Sequence, residues 1–463
     1  MTSRTVRILV ISLVLSAAVA SLVFGAERIR PHKANPFYWE YKGKPVLLLG
    51  GSDEDNLFNN PKMMMENLET LKRCGGNYIR GTLSCRDEGN VWPFEKVGDK
   101  YNFNRWNPEF WERLRRCCEE SRTRDIIVQI EVWATFDFYR DYWLRNPWNP
   151  ANNSNYTTEN TRLKTEWNYH PAARYQPFFD SPPERNNDRV LLKYQEAFVR
   201  KVLDVTLPYP NVLYCLDNET ATPPQWAWHW GAFIREEAKK RKVNIELTEM
   251  WDNWDITSEH HRYTHERPEL FSFTDVSQNN WQTGQTHYDR LIQFRKNLLG
   301  QTAGARPMNN VKVYGRVGGS NQPCEPAVNV DRWWQNVFAG CAGTRFHRPP
   351  SGIGLNPLAQ KHIRAGRNFT SSFEIFHSEP RPDLLREREE NEAYCLAVRG
   401  GVYALYFPTG GEVVLDVGDD RKVSIRWFDI NSAEFSGDEA TVTGPRVRVK
   451  SPNTEQMWLA VVK

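Results

Sequence analysis

Short apolar runs alternate along most of this chain with segments whose apolar positions recur every three or four residues. The first pattern predicts buried strands and the second amphipathic helices, and their regular alternation predicts a parallel sheet wrapped by helices. The strands expected are Val46–Gly51, Asn77–Ser84, Ile126–Trp133, Val212–Glu219, Asn244–Met250, Leu270–Ser277, Val311–Gly315 and Gly343–Arg348. Helices are expected at Met63–Cys74, Pro108–Ser121, Val190–Val205, Trp226–Arg241, Tyr288–Leu299 and Val330–Ala339. Eight strands favour a closed α/β (βα)₈ TIM barrel over an open doubly wound sheet, because no Gly-rich phosphate turn joins a strand to a helix. From Asn391 the period falls to two, in short runs parted by turns such as Arg399-Gly400-Gly401. That change predicts a small antiparallel β-sandwich. The chain therefore divides into a leader (1–26), a barrel (27–380), a charged junction (381–390) and a C-terminal β-domain (391–463).

The leader is read from Arg4 and Arg7, the apolar stretch Ile8 to Val23 and the small residues Gly25 and Ala26. It has the layout of a secretion signal and is short for a membrane span. An exported protein without stable membrane association after leader cleavage is expected. The formal charge of +3 falls to about +1 once the leader's arginines are gone, which offers no field for a nucleic-acid partner. Eight cysteines in 463 residues are too few for a disulfide scaffold, and with no C-x-x-C pair a thiolate metal site is not expected. No cofactor is called for either.

Chemistry in such a barrel gathers at the C-terminal ends of the strands, and here every strand ends in polar residues. The first runs into Asp53-Glu54-Asp55, the second carries Arg80, the third Glu131 and Trp133, and the fourth Asp217-Asn218-Glu219. The fifth carries Glu249 and then Asp252, the sixth Asp275 with Asn279 and Asn280, the seventh Lys312 and Tyr314, and the eighth Arg345, His347 and Arg348. Eight polar ends together predict a pocket. The long connection from Ala134 to about Asp188 holds Trp143, Trp148, Tyr156, Trp167 and Tyr169, and reads as a wall of the cleft. The 18 Trp of the chain suit either the core or stacking against sugar rings. The acidic run Asp53–Asp55 is expected in a solvated loop, as is Glu259–Glu266 with its three histidines.

The Asn218-Glu219 pair closing a fourth barrel strand resembles the large superfamily of retaining glycoside hydrolases. There that Glu is the acid/base and the preceding Asn touches the sugar 2-hydroxyl. Arg80 is similar to an arginine often found at the end of strand two. Asn35-Pro36-Phe37-Tyr38 followed by Gly43 to Gly51 resembles apiosidase-like bacterial barrels, which often carry a small C-terminal β-domain labelled collagen-binding. The resemblance spans most of the mature chain and implies a poly- or oligosaccharide substrate. One departure stands out. The superfamily keeps a nucleophilic Glu at the end of strand seven, whereas Asn310 to Arg316 contains no carboxylate, and Glu325 is the next acid downstream.

Glycoside hydrolysis needs an acid at the leaving oxygen and a second carboxylate as nucleophile or base. The catalytic candidates are Glu219 as acid, with Glu249 and Asp275 as candidate partners. The substrate-binding candidates are Arg80, Trp133, Asn218, Asn279, Asn280, Tyr314, Arg345 and His347. With the seventh strand bare, a carbohydrate-binding barrel without catalysis is the competing expectation. Neither His-Glu-x-x-His nor G-x-S-x-G occurs, which argues against a zinc peptidase and a serine hydrolase.

Overall fold

The computed structural model describes residues 27–301, 304–317 and 322–463; the predicted leader lies outside the described residues. The eight barrel strands are Leu48–Gly51 (β1), Tyr78–Thr82 (β2), Ile127–Trp133 (β3), Val212–Asp217 (β4), Leu247–Thr248 (β5), Thr274–Asp275 (β6), Met308–Val313 (β7) and Gly343–Phe346 (β8). They form one parallel sheet running from β5 back through β1 to β8 and on to β6. The gap between β5 and β6 is bridged by Ser272 N–H donating to the Leu247 carbonyl at 3.0 Å, which all but closes the barrel. Each strand is followed by a helix: Pro61–Arg73 (α1), Pro108–Thr123 (α2), Arg189–Thr206 (α3), Pro224–Lys240 (α4), Glu259–His265 (α5), Gly284–Leu299 (α6), Pro326–Phe338 (α7) and Pro357–Ser372 (α8).

Local chemistry explains where several helices begin. Asn60-Pro61, Asn107-Pro108 and Asn356-Pro357 each place an amide side chain on an unpaired first-turn N–H, with proline where no N–H is needed. Two elements escaped the pattern. The α5 turn was expected as a solvated loop, yet His261 and His265 on it are buried against Phe294. Burial holds both imidazoles down to about 4, so they are neutral packing groups. Helix α8 carries no strong apolar run, and it forms because Ala359, Ile363 and Phe369 are buried against the barrel.

One end of the barrel is filled. Leu48, Tyr78, Ile127, Leu213, Phe273 and Val311 converge with Trp39 from the N-terminal strand Trp39–Tyr41, and the Trp39 indole donates to Asn309 Oδ1 at 2.9 Å. This apolar plug leaves the polar layer at the opposite, C-terminal end as the mouth.

Beyond the barrel lies a seven-stranded antiparallel sheet built from Ser378–Pro380 (β9), Leu385–Arg386 (β10), Tyr394–Val398 (β11), Val402–Phe407 (β12), Glu412–Asp429 (β13), Glu434–Lys450 (β14) and Trp458–Val462 (β15). Strand β13 is one continuous element that joins the two short period-two runs expected over Glu412–Val417 and Val423–Asp429; its first half pairs with β10 and its second with β15. The period-two pattern buries both faces. Cys395, Leu405, Phe407, Val413 and Val447 form the sheet's own core, while Tyr394, Leu396, Tyr406 and Leu459 join the core of the barrel. Tyr406 stacks on Trp334 of α7 with ring centres 5.9 Å apart.

Candidate active site

A cavity of about 440 Å³ opens at the barrel mouth, lined by residues from the ends of seven of the eight strands and from the long connection after β3. Its floor is a charged layer raised by strand periodicity. Tyr78 and Arg80 of β2 share one face, as do Gln129 and Glu131 of β3, because alternate residues point the same way. Arg80 is 1% exposed and is held by Asp55 at 2.8 Å, Glu131 at 2.6 Å and the Asn218 side-chain carbonyl at 2.5 Å. Glu131 also accepts from Thr82 at 2.6 Å. Burial alone would raise the Asp55 carboxyl, but Arg80, His347, Arg345 and Arg348 together bring it well below the usual carboxylate range. Of the acidic run after β1, expected in a solvated loop, Asp55 alone is a buried ion-pair centre; Glu54 is half-buried, and Asp53 is exposed and accepts from the Leu355 N–H at 2.9 Å.

Glu219 reaches the cavity through its backbone. It follows β4 with a positive φ of 62°, a conformation that costs a non-glycine residue on the order of 1–3 kcal/mol and gathers at functional sites. Its carboxylate is paired with the Lys312 ammonium, whose side chain is fully buried, and accepts from the Tyr314 hydroxyl at 3.3 Å. Lys312 lies at a register shift between β7 and β8, the kind of irregularity that re-aims a side chain beside a site. Burial works to raise the Glu219 carboxyl, and Lys312 with Arg80 outweighs it, leaving the group below its usual value.

Asp252 lies beside it for a reason visible in the backbone. Past the formal ends of β4 and β5 the ladder continues: Thr220 N–H donates to the Met250 carbonyl and Asp252 N–H to the Thr220 carbonyl, both at 2.8 Å. Neighbouring extensions therefore carry Glu219 and Asp252 into the same cavity. Burial and the negative Glu219 push the Asp252 carboxyl up to about 7, against the opposing Lys312. Its Oδ2 is buried with no hydrogen-bond partner among the described residues.

The structure brings Glu219, Arg80, Asn218, Asn280, Tyr314 and His347 together around the cavity. It places the other candidates elsewhere. Glu249 sits below the lining, accepting from the backbone N–H groups of Asp217 and Met250 at 3.0 and 2.8 Å. Burial and the neighbouring Asp217 carboxyl raise it well above the usual range. Asp275 is also outside the lining, accepting from Ser277 N–H at 2.9 Å; burial lifts it to about 6. Arg345 is fully buried beneath, donating to the Val311 carbonyl at 2.9 Å and to Ser52. Asn279 donates to the His287 carbonyl at 2.9 Å, and Trp133 is enclosed by Trp148, Phe178, Phe198, Trp226 and Trp230. All five lie at or near strand ends, but strand-end position alone does not tell which side chains clear the floor.

Loop residues supply what the strand ends did not. Phe136, His170 and Ala172 come from the long connection, which does wall the cavity. Its Trp143 and Trp167 are buried, Trp148 and Tyr156 are buried against Phe103, Trp133 and Phe198 outside the connection, and Tyr169 is exposed. Trp281, 49% exposed, is the tryptophan in the lining. Arg86, Asp252, Gln278, Arg316, Arg348 and Ser351 complete it. Each stands within a few residues of a strand end, a signal too general to select them. The eight cysteines are all unpaired. Among the described residues no group of three or more His, Cys, Asp or Glu is arranged to hold a metal ion, and no helix is long and apolar enough to cross a membrane.

No family profile and no curated protein matches the sequence. Solved structures do share its shape. A glycoside hydrolase aligns over 95% of this chain and 97% of its own at 12% identity, with a TM-score of 0.64. A family 5 glycoside hydrolase from Bacteroides vulgatus ATCC 8482 aligns over 95% and 93% at 12% identity, TM-score 0.65. A family 5 mannosidase from Rhizomucor miehei covers 76% of this chain and 99% of its own at 11% identity, TM-score 0.52. The first two alignments extend across both the barrel and the C-terminal sheet. At such identities the likeness is one of fold.

Proposed function

We propose that the protein is an exported glycoside hydrolase whose carboxylate pair is Glu219 and Asp252. The observation that carries this reading is their opposed environments within one cavity, Glu219 held ionised by Lys312 and Asp252 pushed to about 7. Two titratable groups driven apart in this way divide acid and base roles between them. Asp252, protonated and without an internal partner for Oδ2, donates its proton to the departing glycosidic oxygen. Glu219, anionic and oriented by Tyr314, acts at the anomeric carbon, as nucleophile or through a water molecule. This assigns Glu219 the role opposite to the one the superfamily resemblance implies, because the ammonium beside it favours the ionised form. Glu249 and Asp275 take supporting roles, bonding the backbone at the strand ends. Asn218, Asn280 and His347 supply polar contacts for sugar hydroxyls, and Trp281 and Phe136 supply faces for the ring. The shared fold of the glycoside hydrolases described above supports the reaction class, and the leader-like sequence at the N-terminus supports export.

Reducing-sugar release from a polysaccharide panel tests the proposal. The native chain should release sugar, and Glu219→Gln and Asp252→Asn should each lower kcat by roughly 10²–10⁴-fold. The Lys312 ion pair occupying Glu219 also suits a binder without catalysis. Glycan binding with no turnover by the native chain would establish that reading instead.

A further inference from the structure

The geometry points to a substrate that carries a negative charge, a glycan bearing carboxylate or sulfate groups bound by Arg86 and Arg316. This rests on the carbohydrate reading above and narrows its substrate class.

Four arginines line the cavity, and they divide into two kinds. Arg80 and Arg348 are committed internally. Arg80 is held by Asp55, Glu131 and Asn218, and Arg348 donates to Asp55 at 2.9 Å. Arg86 and Arg316 are held more loosely. Arg86 has 13% of its side chain exposed, and its nearest carboxylate, Asp137, is 3.9 Å away. Asp137 already accepts from the Ser84 hydroxyl at 2.9 and 3.0 Å and from the Cys85 N–H at 2.9 Å. Arg316 has no Asp or Glu within 4 Å among the described residues, and its Nε is buried without a hydrogen-bond partner there. The undescribed segments contain no Asp or Glu, so an ion pair cannot lie in them.

A partly buried guanidinium with no counter-charge, as at Arg316, is unfavourable, and a second held only by a long 3.9 Å pair in the same sugar-sized cavity adds to the demand for an anion. The planar fork of Arg matches the paired oxygens of a carboxylate or sulfate. Asp252 bears on the same point. With its carboxyl near 7 and protonated below that, it adds little repulsion toward an anionic ring. A neutral sugar would use the hydroxyl-binding groups of the cavity and leave Arg316 unanswered and Arg86 with its long Asp137 pair alone.

Asp252→Asn in the full mature chain provides the test, since it blocks turnover while keeping the Glu219 charge. Calorimetric titration at pH 6 with trigalacturonate, a sulfated galactan tetrasaccharide and mannotriose should show one acidic probe binding at least tenfold tighter than mannotriose. The stronger of the two separates carboxylate from sulfate. Adding Arg316→Met or Arg86→Met should each remove at least tenfold of that affinity, with the melting temperature confirming a folded chain. Arg316→Lys, which keeps the charge and loses the fork, should recover part of it. The inference is overturned if mannotriose binds as tightly as both acidic probes, or if the arginine variants keep the preference. Turnover of neutral glycans alone would overturn it and leave the hydrolase reading standing. No binding or turnover of any glycan would overturn both.

Discussion

Lys312 acts on both carboxyls of the proposed pair, and its effect can be followed with sign. It lowers the Glu219 carboxyl, which must be ionised, and it also lowers Asp252, which must be protonated. Activity should therefore rise with pH through an acid limb below the ordinary Glu range and fall as pH passes about 7. Lys312→Met removes a positive neighbour from both groups, so both limbs of the kcat/KM profile should move to higher pH. A profile that keeps its acid limb in that variant would show that Glu219 is not the ionised partner. Composition could not have identified this lysine. A strand-seven residue without a carboxylate reads as a gap until its ammonium is seen against Glu219.

Among the barrel strands, close approach matters more than propensity. The β1–β2 seam pairs Gly50 with Tyr78, and a Cβ on Gly50 would stand 2.0 Å from the Tyr78 carbonyl oxygen. That neighbour is backbone and cannot rotate away. Gly50→Ala should destabilise the protein by at least the roughly 1–3 kcal/mol typical of overpacking, measured by urea unfolding. A neutral result would mean the seam opens freely, and the tight placement of Asp55 just beyond β1 would lose its cause. All eight barrel strands were legible because each lies within or beside a short apolar run, although β5 and β6 are only two residues long and β6, Thr274–Asp275, has no apolar residue of its own. Their polar extensions were not, since the Thr220–Asp252 ladder that sets two carboxyls side by side consists of residues with no strand pattern.

The barrel and the C-terminal sheet share one core. Trp334 of α7 is fully buried, stacks on Tyr406 and donates to His362 at 3.0 Å, while Phe369 of α8 meets Phe428 edge-on at 5.6 Å. Calorimetry should therefore record one cooperative unfolding transition for the full chain. Trp334→Ala should destabilise that single transition by about 3–5 kcal/mol. Two transitions, with only one displaced by the substitution, would show that the sheet folds independently of the barrel. The tryptophans illustrate the same point. Eight of them, including Trp226, Trp230, Trp333 and Trp334, are among the largest fully buried side chains, so in this protein indole is mainly core material.

Periodicity along the chain was sufficient for the (βα)₈ order, the antiparallel C-terminal sheet and the position of Glu219 at a strand end, because burial imposes regular spacing on apolar side chains. The spatial relations between polar groups carry no such spacing. Which acids clear the floor, which arginines stay loosely held and which ammonium faces Glu219 depend on strand register, a register shift at Lys312 and loops that return from distant positions. Glu249 and Asp252 are three residues apart, yet one bonds backbone below the lining and the other faces the cavity. That difference arises only when β4 and β5 lie side by side and their ends extend together.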